Sequence, residues 1–258
     1  MAAAPAVSWA PVDCHAHSTH SDGALSVAEI VDLALQRGVR PSVADHITTE
    51  IAAGVRDVAG VPAYLDDLER HDVLRAGEFC WHDGLWRQLP PSLVQRFTHR
   101  VGSLHAVPVN GRLVHAFRRF PAELTPDRYM DAHVEALEQF AGEMPVDILA
   151  HPTLLPIPLR KLPLEELWTE AREERAVAAL RRSGIAFEIS NRYRPHERFV
   201  HRAVAAGVRI SLGSDGHTRE QVADVAWPLA LARRLGVQDA ALYDPLAHGS
   251  RTGCFAAA

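Results

Sequence analysis

The stretch "DCHAHSTHSDG", Asp13 to Gly23, decides how the chain is read. It places three histidines and two aspartates directly behind a short apolar run and closes on a glycine. Residues i and i+2 leaving an extended segment point to one side, so His15 and His17 can hold a single ion through neutral imidazoles. In a chain with 15 histidines the pair can equally line a loop by chance. The later segments choose between these readings.

Composition sets the frame. A chain of 258 residues, 47% hydrophobic and 23% charged, has the balance of a globular protein and the length of one α/β barrel, which predicts a single domain over 1–258. A net charge of −5 with interspersed signs offers no broad basic face for nucleic acid. Cys14, Cys80 and Cys254 are odd in number and lack C-x-x-C spacing, which suits a reducing compartment rather than a disulfide framework. The opening "MAAAPAVSWAP" has no basic region to mark it as a leader, and no apolar run reaches the roughly 20 residues of a membrane helix. The expectation is a soluble, cytoplasmic protein whose alanine-rich ends, Met1–Ala6 and Phe255–Ala258, carry no function.

Helical and strand-like segments alternate along the chain. Ser26 and Glu29 have capping-box spacing ahead of a periodic apolar run that Gly38 stops, and "VRPSVADH" then reads as a buried strand. Pro62 opens a helix before the strand "VLRAGEF", and "PPSLVQRF" reads as a helix before the strand-like "RVGSLHAV". Thr125 and Pro126 start a long helix before "VDILAH"; "LEELWTEAREERAVAALRRSG" reads as one helix before "IAFEIS"; "ERFVHRAVAAG" precedes "VRISLGSD". A last helix, "REQVADVAWPLALARRLG", is predicted to kink at Pro228. About seven strands separated by helices predict a parallel sheet with right-handed crossovers, closed into a TIM-like (βα) barrel.

At the carboxyl ends of these strands stand Asp13 with His15 and His17, Asp45-His46, Glu78, His105, His151, Asn191, and Asp215 with His217. A parallel barrel gathers those ends on one face, where such folds keep their active sites. Taken singly, Glu78 is as well explained by a salt bridge to an arginine, and His105 or His151 by a hydrogen-bonded core imidazole. Their shared position favours a metal site, and histidine mixed with carboxylate suits zinc, manganese or iron. His71, His99, His115, His133, His201 and His248 fall on helices, strand starts or the tail and read as solvated or packing residues, while His20, His82 and His196 sit on loops near the predicted mouth.

The ordered set D-x-H-x-H-S-x-x-S-D-G at Asp13–Gly23, Asp45-His46, Gly77-Glu78, "GSLH" ending at His105, "AHP" around His151 and "GSDGH" ending at His217 resembles the motifs of the polymerase and histidinol phosphatase (PHP) superfamily. "GSLHAV" and "FEISNRYRPHERF" are most similar to its histidinol-phosphatase branch. The resemblance implies a distorted seven-stranded barrel binding two or three divalent ions. By it, His15, His17, Glu78 and Asp215 hold one metal; Glu78 bridges to a second held by His105 and His151; Asp22, His46 and His217 hold a third.

Cations so grouped lower the pKa of bound water from about 16 towards 7, so the expected chemistry is attack of a metal-bound hydroxide on a small phosphomonoester, with no protein nucleophile. Asp215 and His217 would contribute directly, and Asp13 and Asp45 by supporting the ligands. A phosphate needs fork-shaped donors beside the metals, for which Arg160, next to Lys161, and Arg194, with Arg192 as the other choice, are the candidates. A phosphodiesterase or nucleotide-end hydrolase, a C–N hydrolase, and a non-catalytic PHP module are the competing readings.

Overall fold

The computed structural model describes residues 11–248; Cys254 and both alanine-rich ends lie outside them. The strands are short: β1 Ser42–Val43, β2 His46–Ile47, β3 Leu74–Arg75, β4 Glu78–Cys80, β5 Val101–Ser103, β6 Ala106–Val109, β7 Arg112–His115, β8 Ile148–Leu149, β9 Ala186–Ser190 and β10 Ile210–Gly213. Six of them form a parallel sheet in the order β10-β9-β8-β5-β4-β2. β1 and β3 pair in parallel just upstream of β2 and β4, so two strands predicted as continuous are each interrupted once.

The fold is mixed α/β with a parallel sheet, but the first of the expected strands is not a regular one. Residues 12–16 are extended and make only isolated bridges, Val12 to Arg40 and Ala16 to Gly216. The Cys14 N–H donates to the Leu212 carbonyl at 2.9 Å, and the Ala44 N–H donates to the Ala16 carbonyl at 2.8 Å. This segment therefore joins β10, at one end of the sheet, to the chain around β1 and β2 at the other. Residues turned to one side of the strands, including Val12, Cys14, Ala44, Ala76, Val101, Ile148 and Ala186, pack into a small apolar cluster of their own. The larger core lies under the helices, where Trp168 and Phe187 both pack on the ring of Phe199.

Local chemistry explains the elements. The helix Val27–Gln36 begins on the predicted capping box, with the Glu29 N–H donating to Ser26 Oγ and the Ser26 N–H donating to Glu29, a pair contributing about 1 kcal/mol. Thr125 caps Pro126–Glu143. The single helix expected from Leu164 is two, Leu164–Leu167 and Glu170–Ser183, because Trp168 turns its indole fully into the core and Thr169 caps a new start. Only one helical turn, Pro91–Val94, forms in "PPSLVQRF". Pro228 kinks nothing: its helix begins at Ala226, so its missing N–H falls in the first turn, where no intrahelical partner exists. The hairpin β6–β7 was not expected, although Asn110 and Gly111, both at positive φ, make the turn that an Asn-Gly pair favours. No helix among the described residues is long and apolar enough to cross a membrane.

His133 is buried on the helix Pro126–Glu143, edge-on to Trp168, and burial pushes its imidazole down to about 4. The unfolded chain thus binds a proton that the fold refuses, so stability drops as pH falls through the ordinary histidine range towards 4. This residue alone costs roughly 2 kcal/mol between pH 7 and pH 5. Urea denaturation at both pH values should show that loss reduced by this amount in His133→Met; an unchanged pH dependence contradicts the assignment.

Candidate metal centre

The site is assembled by register and by sharp exits from strands. His46 and Glu78 are direct partners on adjacent parallel strands, which puts His46 Nδ1 2.9 Å from Glu78 Oε2. His15 and His17 leave the joining segment together, with their Nε2 atoms 3.1 Å apart. His105 and His151 each lie two residues beyond a strand, β5 and β8. His151 at φ 29° and Asp215 at φ 51° hold the left-handed backbone that non-glycine residues seldom adopt, a strain often found at functional sites.

All nine predicted ligands converge. Glu78 Oε1 lies 3.1 Å from His151 Nε2 and 3.2 Å from His105 Nε2; Glu78 Oε2 lies 3.4 Å from His15 Nε2 and 3.7 Å from His17 Nε2. His17 Nε2 is 3.4 Å from Asp215 Oδ1. On the outer side Asp22 Oδ1 is 3.4 Å from His217 Nε2, 3.5 Å from His46 Nε2 and 3.8 Å from His17 Nδ1. Three groups have ion-binding spacing: His15, His17 and Asp215; His46, Glu78 and His105; and His17, Asp22, His46 and His217. The grouping differs from the expected one: His17 and His46 each belong to two sets, Glu78 belongs to one, and His151 stands against Glu78 without joining any of the three.

The donors fit cations. Glu78 Oε2, His46 Nδ1 and His17 Nδ1 are buried without a hydrogen-bond partner, even though the first two are only 2.9 Å apart. Unpaired buried polar groups of this kind are rare without a ligand. Burial and the neighbouring His46 push His17 down to about 3, leaving it neutral and ready to ligate. Burial favours a neutral Glu78 and a neutral Asp215, but the surrounding imidazoles outweigh it and hold both below the ordinary carboxylate range. Burial likewise opposes a charge on His15, yet Glu188 and Glu78 keep its imidazole well above the usual histidine value. Ion binding must displace such protons, so it weakens as pH falls.

Three buried carboxylates brace the cage from behind. Glu188, on β9, was not singled out from the sequence; its Oε1 accepts from His15 Nδ1–H at 2.8 Å, which leaves the His15 Nε2 lone pair facing inward, and its Oε2 accepts from the His151 N–H. Gly213 makes room for it, since a Cβ there would fall 2.1 Å from Glu188 Oε1. Asp13 does not line the cleft: it accepts from the N–H groups of His15, Ser214 and Ala223 and from Ser214 Oγ–H, and burial raises its carboxyl to about 6. Asp45 accepts from the Ser18 N–H and from the hydroxyls of Ser18 and Ser21, fixing the turn that carries Asp22.

The cage opens into a cleft of about 430 Å³ lined by Asp22, His46, Glu78, His105, His151, Asp215 and His217, with Ile51, Phe117, Arg192 and Tyr193 beside them. Of the arginines after Asn191, it is Arg192 that enters, with Nη1 2.6 Å from His217 Nδ1. Arg194 turns away: it donates to the Asn191 carbonyl and Oδ1 and stacks over Trp227. Arg160 stands behind the wall, donating to the Leu155 and Ala116 carbonyls, with its guanidinium 5.2 Å and 5.3 Å from the ring centres of Phe117 and Tyr193. Among the histidines left open, His20 pairs with Asp67 and His196 with Glu173, both away from the cage.

No family model matches the sequence, and no curated protein does. Among solved structures, the chain is similar to a histidinol phosphate phosphatase from Lactococcus lactis subsp. lactis, solved with zinc, L-histidinol and phosphate. The TM-score is 0.64 at 15% identity, over 91% of this chain and 95% of that one. At that identity the likeness shows a shared fold.

Proposed function

We propose that the chain, read as one domain over 1–258, is a metal-dependent hydrolase of small phosphomonoesters. One observation carries the reading: a buried carboxylate ringed by five imidazoles opens into a cleft whose wall supplies a guanidinium. The ring formed by the six-stranded sheet and residues 12–16 is read as the distorted seven-membered barrel, with the cage at the carboxyl ends of its strands. Two or three ions would be held by His15, His17, Glu78 and Asp215, by Glu78, His105 and His151, and by Asp22, His46 and His217. Zinc is the first choice, on its presence in the similar structure, with manganese and iron as alternatives. When bound, such ions supply Lewis acidity that eases ionisation of water and neutralises phosphoryl oxygens.

The chain's own groups do the rest. Arg192 donates N–H bonds to the phosphoryl oxygens, while His217 Nδ1–H donates to the Asp215 carbonyl at 2.9 Å, which holds that ring in place. Phe117, Tyr193 and Ile51 form the apolar side that receives the alcohol half, and Arg160 stiffens the two rings from behind. Asp13, Asp45 and Glu188 touch no substrate; they keep the ligands preorganised, so that little rearrangement accompanies reaction.

Phosphate release from p-nitrophenyl phosphate and histidinol phosphate by protein loaded with zinc, manganese or iron tests the activity. The expected result is turnover abolished by chelation; faster hydrolysis of bis(p-nitrophenyl) phosphate would shift the reading to phosphodiesters. Glu78→Ala should lose activity and ions together, so an active, fully metallated variant contradicts the bridging role. Arg192→Ala should raise KM tenfold or more with ion content unchanged, whereas Arg194→Ala should leave KM within twofold; the opposite order refutes the placement of the clamp. Glu188→Gln should weaken metal affinity by about 10- to 100-fold, read by competition with a chelating dye.

A further inference from the structure

Outside the cage, the described residues hold one more mixed group of imidazoles and carboxylate, Glu50, His82 and His115, whose ligand atoms all lie within 4.8 Å of one another. We propose that these three residues form a separate site at the rim of the cleft for one divalent transition-metal ion, such as zinc.

The argument starts from His82. Its side chain is only 3% exposed, and neither ring nitrogen has a hydrogen-bond partner. A neutral imidazole always carries one N–H and one lone pair, and leaving both unsatisfied in the interior costs on the order of 1–3 kcal/mol for each. No neighbouring group relieves this. The nearest are Glu50, with Oε1 3.9 Å from His82 Nε2, and the His115 ring, edge-on at 5.5 Å. His115 Nδ1 in turn lies 3.9 Å from Glu50 Oε2. These gaps are too wide for hydrogen bonds and somewhat wider than the spacing of ligands around a zinc ion at about 2.0–2.2 Å from each. A closure of less than about 1 Å would bring the set onto an ion and satisfy His82 at the same time.

Each ligand comes from a different fixed element. Asp83 accepts from Thr48 Oγ1–H and from the Thr49 N–H, tying the loop that bears Glu50 to the turn that bears His82. His115 pairs with Ala106 in the hairpin, and the Ala116 N–H donates to the His105 carbonyl, so the hairpin is anchored beside the cage. Glu50 is currently neutralised by Arg118, which donates to its Oε2 at 2.9 Å from a side chain that is 63% exposed and free to leave. Two imidazoles and one carboxylate leave a fourth position for water or a ligand, as in open zinc sites.

The test counts zinc in the full chain. Zinc-saturated wild-type protein should carry one equivalent more than the His82→Gln/His115→Gln double variant, and Arg118→Ala should bind that equivalent severalfold more tightly because a competing cation is gone. Glu78→Ala, which empties the cage, should retain the rim equivalent, so the two sites fail separately. Equal stoichiometry in the wild type and a folded double variant overturns the proposal. Should the double variant not fold, anomalous scattering at the zinc edge from wild-type crystals decides: a peak among Glu50, His82 and His115 supports the site, and its absence with the cage ions present overturns it.

Discussion

Everything at the centre of this molecule follows from burying one carboxylate, Glu78, at the floor of the cleft. A buried charge is costly unless compensated, and the compensation here is not a single arginine but imidazoles delivered from His15, His17, His46, His105 and His151. Because those five histidines come from four separate segments, neutralising Glu78 and assembling the fold are the same task. Against the cost of burial, neighbouring acidic groups raise the imidazoles of His15 and His105, so protons on these rings supply part of that compensation.

Much of this was legible in the letters, and the reasons are local. Strand ends can be found from apolar runs, and parallel strands bring those ends to one edge, so the meeting of His15, His17, His46, Glu78, His105, His151, Asp215 and His217 was legible from order alone, while Asp22 came from the resemblance. Chain breaks inside apparent elements were less visible. Trp168 has good helical credentials and leaves its helix because a buried indole gains more than a continued hydrogen-bond ladder. Pro228 looked like a kink only because the start of its helix was placed too early. In the hairpin, the Asn110-Gly111 pair was the available signal and was passed over.

The brace residues were harder. Glu188 sits in "IAFEIS", where a glutamate within an otherwise apolar strand was itself a sign of a buried partner. The choice between Arg192 and Arg194 depends on how Asn191 and Trp227 capture one guanidinium, a tertiary contact with no trace in local sequence. Asp13 and Asp45 stand next to the cage histidines in sequence and spend their acceptor capacity on backbone amides and serine hydroxyls, the supporting role that their position suggested.

The seam formed by residues 12–16 has a consequence for how the chain comes into being. Asp13 bonds to Ser214, 201 positions away, so this seam can close only after the whole stretch between them has been made. Closing so long a loop is entropically slow. Until then two histidine ligands, His15 and His17, remain unshielded, and the nascent protein resembles an open cup. Convergence of the complete cage is thereby postponed until β10 has been made, which makes it a late mark of the folded molecule.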